Sequence, residues 1–203
     1  MAATTASARP QPRPRGAARR EALLEAVLTI VGDTGPDAVT HRRVAEVAEL
    51  PLASTTYWFD SKEHLLTAAL ELAADRDTTR LLEHAAHAQR SDVDPLDAAV
   101  AAIVDPADDP QKSSRTSMIA SFALLLEAAR RPALQEVSRR WTEVYLLTLS
   151  GLLEAAGSTR PRADAELLLG AADGLLMEQL ATGAEDDLRP RLRRLATALV
   201  DQP

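Results

Sequence analysis

His84 and His87 stand three residues apart, with Glu83 beside them. On a helix that spacing puts both imidazoles on one face, where they could ligate a metal ion. A metal site needs more ligands around it, and the sequence offers no third partner, so the pair reads as surface histidines. Other catalytic chemistry is equally thin. The chain has no cysteine, which removes disulfides and thiol nucleophiles and fits a reducing compartment. It has no Walker loop, no Gly-x-Ser-x-Gly elbow and no dinucleotide fingerprint. The residues argue for a binding protein with no metal and no cofactor, and against an enzyme.

Two other features stand out. Tyr57, Trp58 and Phe59 form one unbroken run, in a chain with only two Trp, two Tyr and two Phe. Residues 1–20 hold Arg9, Arg13, Arg15, Arg19 and Arg20 and no acid, although the chain as a whole carries a net charge of −7. That asymmetry suggests a local basic contact on an acidic body.

The elements that must position these residues are helical. Of the 203 residues 46% are hydrophobic, mostly Ala and Leu, and only eight are Gly; this is a helix-former's composition. The expected fold is all-α. No apolar run approaches the ~20 residues of a membrane span, and no apolar stretch follows the N-terminal arginines as a signal peptide requires. The expected location is the cytoplasm.

Residues 1–16 lack apolar periodicity and read as a disordered basic arm. Leu23, Leu24, Val27, Leu28 and Val31 mark a first helix from near Ala17. Thr40 suits the N-cap of a short second helix to Ala48, and Pro51 suits the first position of a short third. Asp60 or Ser61 then caps a fourth helix to about His87, with Asp60 and Glu63 at capping-box spacing. Further helices are expected over 95–104, 114–131, 132–156, 162–182 and 187–200.

Two short helices about four residues apart, with a first helix behind them, make a helix-turn-helix. In that motif the third helix enters the major groove by its N-terminal residues. Ala53, Ser54, Thr55 and Thr56 are small or polar, as close approach to DNA demands. The ring run would anchor the far end, with Phe59 and Tyr57 wedged against neighbouring helices.

The stretch VTHRRVAEVAELPLASTTYWFDSKEHLLTAAL resembles the DNA-binding domain of the TetR family of transcriptional repressors, over roughly residues 18–70. The resemblance implies an N-terminal helix-turn-helix domain followed by a helical bundle that binds an effector and dimerises. Thr40, His41 and Arg42 match positions that touch phosphates or bases. Leu52, Ala53, Ser54 and Thr56 match groove-facing positions, with Tyr57 beside them. Trp58 matches a position that often reaches the backbone. Lys62 matches a phosphate-contacting lysine at a helix N-terminus, a place that favours anions in any case. Arg9, Arg13 and Arg15 could enter a flanking minor groove. Two residues depart from the pattern. Glu49 stands where the family usually has Gly, and Leu52 stands where many relatives have a hydrogen-bonding side chain.

The expected organisation is an arm over 1–16, the DNA-binding domain over 17–60, a linking helix over 61–87, and an effector-binding and dimerisation domain over 88–203. Met118, Phe122, Trp141, Tyr145 and Met177 are candidates for an effector pocket, with Glu143, Glu178 or Gln179 as polar contacts. Leu188, Leu192, Leu195 and Leu199 form an apolar stripe; with Gly170 and Gly174 they are candidates for the dimer interface. The partners implied are a palindromic double-stranded operator, a small-molecule effector and a second copy of the chain, with no membrane. The rival reading is a helical adaptor without DNA binding.

Overall fold

The computed structural model describes residues 14–105 and 115–201. Among them the helices are α1 (Pro14–Thr34), α2 (His41–Val47), α3 (Leu52–Trp58), α4 (Lys62–Arg90), α5 (Pro95–Val104), α6 (Arg115–Ala128), α7 (Pro132–Ala155), α8 (Pro161–Thr182) and α9 (Arg189–Val200), with a 3-10 turn at Pro36–Ala38. No strand occurs among the described residues, and no helix is long and apolar enough to cross a membrane. The all-α expectation holds.

Capping chemistry sets most boundaries. The Thr40 hydroxyl accepts from the Arg43 amide at 3.1 Å and starts α2 as expected. Ser61, not Asp60, caps α4, accepting from the His64 amide at 3.1 Å. Asp94 caps α5 through the amides of Leu96 and Asp97. Prolines open α5, α7 and α8 in the first turn, where a missing N–H is tolerated. Pro51 is itself the N-cap of α3 rather than its first residue. The first helix starts at Pro14, so the last residues of the expected arm are helical; Arg9 and Arg13 lie outside the described residues.

Two cores fill the molecule. The first gathers Leu23, Val27 and Val31 of α1, Val44 of α2, Phe59, Leu65 and Leu70 around α4, Leu124 of α6 and Leu134 of α7. The second gathers Leu81 of α4, α5, and the inner faces of α7, α8 and α9. Trp141 packs against both. The first core therefore ties the helix-turn-helix to α6 and α7, and α1 lies along α6 more extensively than along α4.

Candidate DNA-reading surface and ligand cavity

The α2–α3 turn is built by hydrogen bonds that the sequence makes possible. The amide of Leu50 donates to Ala45 and that of Glu49 to Glu46, at 3.0 and 3.2 Å. This is the Schellman pattern of a helix end, which needs its penultimate residue in the left-handed region. Glu49 occupies that position with φ +53°, and no other described non-glycine residue has positive φ. The departure from the usual Gly thus leaves the turn intact at a local cost. Replacing Glu49 by Gly should raise stability by about 0.5–1 kcal/mol, since the Cβ penalty exceeds the added freedom of the unfolded chain; a higher urea midpoint at unchanged m is the readout.

Phe59 fixes α3 from behind. Its ring is 1% exposed, meets the His64 ring edge-on at 5.2 Å, and lies under the Arg20 guanidinium at 5.6 Å. Its carbonyl accepts from His41 Nε2–H at 3.0 Å. Thr55 is fully buried and donates to the Leu52 carbonyl at 2.7 Å. His41 is thus committed to joining the start of α2 to the end of α3. Tyr57 does not wedge the helix as expected: it is 78% exposed. On a seven-residue helix whose inward side is set by Thr55 and Phe59, a residue two places from each points the other way. It touches only the edge of the Trp58 ring among the aromatic groups described; Trp58 is half-buried on the first core.

The outward surface of this unit carries Thr40, Arg42, Arg43, Leu52, Ala53, Thr56 and Tyr57, all exposed, with Ser54 half-buried. Leu52 is 50% exposed, so it is not a core residue. Arg42 pairs with Glu46 at 2.9 Å, an exposed pair that leaves its charge screened but reachable. Lys62 opens α4 and donates to the Asp37 carbonyl at 3.0 Å, with the Asp37 carboxylate 3.6 Å away.

A cavity of about 860 Å³ opens among α4, α5, α6, α7 and α8, within the range that holds small ligands. Met118, Phe122, Trp141 and Tyr145 line it as expected. Met177 does not: it faces outward, 44% exposed. Glu143, Glu178 and Gln179 are not on the wall either; Glu143 is taken by Arg162 at 2.8 Å. The polar wall instead comes from Asp77, Arg80 and Asp173, with His84 and His87 among the lining residues. Asp77 accepts from Trp141 Nε1–H at 3.1 Å, from the Tyr145 hydroxyl at 2.5 Å and from Arg80 at 2.7 Å. Burial, and after it the Asp77 charge, pushes the Tyr145 hydroxyl well up, so it stays a donor. Among the described residues no group of three His, Asp or Glu is placed to hold a metal.

Comparison with known proteins follows this geometry. Residues 91–202 match the family described as Tetracyclin repressor-like, C-terminal domain. The chain is 31% identical over 166 residues to the HTH-type transcriptional regulator BetI of Rhizobium meliloti (strain 1021), covering 79% of this chain and 77% of that protein. The chain is a TetR-family transcriptional regulator. A TetR-family member of Streptomyces coelicolor A3, SCO1917, superposes with a TM-score of 0.72 at 28% identity, covering 91% of this chain and 99% of that one. The multidrug binding protein EbrR complexed with imidazole gives 0.68 at 27% identity, covering 95% and 98%. The same protein complexed with ethidium gives 0.66 at 28%, covering 89% and 97%.

One further expectation for this TetR-family regulator needs correcting. Leu188, Leu192 and Leu199 are buried in the second core, and Leu195 packs on it. The stripe on α9 is spent on α5 and α8 of its own subunit, because a short helix with one apolar face has no second face for a partner. Gly170 and Gly174 do lie on an open surface, with no atom near where a side chain would begin. Around them α8 exposes Ala163, Leu167, Met177 and Ala181, at spacings of about four and three residues that make one continuous stripe. Sequence periodicity could not separate this outer stripe from the inner one, since Leu167 and Leu168 are adjacent and face opposite ways.

Proposed function

We propose that this TetR-family regulator is a repressor that binds a palindromic operator as a homodimer and is released by a small molecule in the cavity. The observation that carries it is the leading edge of α3: Leu52, Ala53 and Thr56 are exposed on a helix whose far end is locked by Phe59. Thr40, Arg42, Arg43 and Lys62 flank that edge as candidate phosphate contacts, with Tyr57 standing free to reach the backbone or a base. In this reading residues 17–60 read DNA, 61–87 link, and 88–203 hold the effector and the dimer face. The outer stripe of α8, with Leu167 58% exposed, is the surface we assign to the second copy.

Two routes join the cavity to the reading head. The first is α4, which carries Lys62 at one end and Asp77, Arg80 and His84 on the cavity wall. The second is α6, whose Met118, Ser121 and Phe122 line the cavity while its length packs along α1. A ligand that fits best when the two heads are wrongly spaced lowers operator affinity by its differential binding.

The test is affinity for a fragment of the chain's own promoter at several salt concentrations. Neutralised phosphates make affinity fall steeply with salt. Thr56→Ala with Lys62→Ala should weaken binding by about 1–3 kcal/mol together while leaving the fold intact. A flat salt response, or unchanged affinity in the folded double variant, would defeat the reading in favour of an adaptor.

A further inference from the structure

The charges around the cavity do not balance: two carboxylates of its wall lack a cation among the described residues. Arg80 gives its Nε–H to Asp77, its Nη1–H to the Asp105 carbonyl, and its Nη2–H groups to Asp77 and the Tyr145 hydroxyl. Arg76 pairs with Glu21 and Glu25, which lie off the wall. The Asp105 carboxylate is held by Arg189 at 2.9 Å. Asp77 is saturated by Arg80, Trp141 and Tyr145. Of the wall carboxylates, Glu83 and Asp173 have no cation and no hydrogen-bond donor among the described residues, and only Asp173 is set between apolar wall residues. It stands on α8 between Leu169 and Leu176, both on the wall.

We infer that the cavity takes a lipophilic organic cation, an amine protonated at neutral pH, whose charged end pairs with the Asp173 carboxylate while its apolar body lies against Phe122, Trp141, Leu169 and Leu176. The proposal rests on the cavity being the effector site. Both arginines of the wall are already paired, so no free guanidinium is left to receive an anion, and His84 and His87 are the donors that remain. A neutral ligand would cover Asp173 without compensating it, and a carboxylate buried unpaired is costly. Asp173 is exposed to the open cavity; its partial desolvation there, and after it the Asp77 charge, pushes its carboxyl up to about 6, and a cation beside it offsets that penalty.

The experiment is calorimetric titration of the full chain at pH 7.5 with three probes that share one apolar body. These are 3,3-diphenylpropylamine, 3,3-diphenylpropan-1-ol and 3,3-diphenylpropanoate. The amine should bind at least tenfold more tightly than the alcohol, and the carboxylate least of all. In Asp173→Asn, confirmed folded by circular dichroism, the amine should fall to within about twofold of the alcohol, whose own affinity stays unchanged, as expected for loss of one charge-assisted pair. Equal binding of amine and alcohol in the unaltered protein overturns the proposal while keeping the cavity as a ligand site. A preference for the amine that survives Asp173→Asn overturns it too. Failure of all three to bind, with salt-dependent DNA affinity retained, overturns it together with the effector site and leaves the DNA reading standing.

Discussion

Phe59→Ala should be among the most damaging single changes in this protein, at about 3–5 kcal/mol, the usual cost of truncating a buried Phe. The ring is buried and touches three elements at once: Arg20 of α1, His64 of α4, and the first core. Against a total stability of roughly 5–15 kcal/mol, urea denaturation should register the loss as a large drop in midpoint. The effect on DNA binding should exceed the effect on stability. A helix of seven residues cannot hold its own shape, and α3 depends on Thr55 and Phe59 for its aim. Tyr57→Ala, two residues away, is the contrast. Its ring is mostly in solvent, so stability should move by less than about 0.5 kcal/mol while operator affinity falls. Equal stability losses for the two variants would refute the assignment of Phe59 as anchor and Tyr57 as free reader.

That pair of neighbours also marks what could be read in advance. The ring run was legible as an anchor, because three aromatic residues cannot all be solvated cheaply beside a helix start. Which ring faces inward depends on where α3 begins, and a shift of one residue turns its faces by 100°. Glu49 was legible only as a departure from the Gly that the family resemblance implies at the turn; that the turn keeps its left-handed residue came from the structure. The cavity was half legible. Met118, Phe122, Trp141 and Tyr145 follow from size and type. Asp77 and Asp173, which set its charge, lie 96 positions apart along the chain and meet only through the packing of α4 against α7 and α7 against α8. Of the dimer candidates, the α9 leucines proved to be core of their own subunit while Gly170 and Gly174 lie on an open surface, because a leucine stripe signals burial without naming the partner.

Gly32→Ala should lower stability by about 2 kcal/mol, a typical cost of forcing bulk into a filled interface. Gly32 lies inside α1, where Ala is ordinarily preferred by about 1 kcal/mol, so the sign is the informative part. A side chain there would overlap the Thr116 carbonyl oxygen and Cγ2, with the carbonyl carbon at 2.9 Å. Two of those atoms are backbone, and no rotamer change can move them. The helices α1 and α6 would have to part, stretching the first core along their whole contact. Asp33 reaches Thr116 at 3.4 Å in the same place. Gly151, exposed within α7 with open space around it, supplies the control: Gly151→Ala should stabilise by about 1 kcal/mol through helix propensity alone. Opposite signs for one substitution at two helical glycines would establish that α1 and α6 are held at backbone contact. Because α6 also carries Phe122 and Met118 on the cavity wall, Gly32→Ala should further weaken the effect of a bound ligand on operator affinity, measured by repeating the DNA titration with and without ligand. A variant that is destabilised yet fully responsive would assign the transmission to α4 instead.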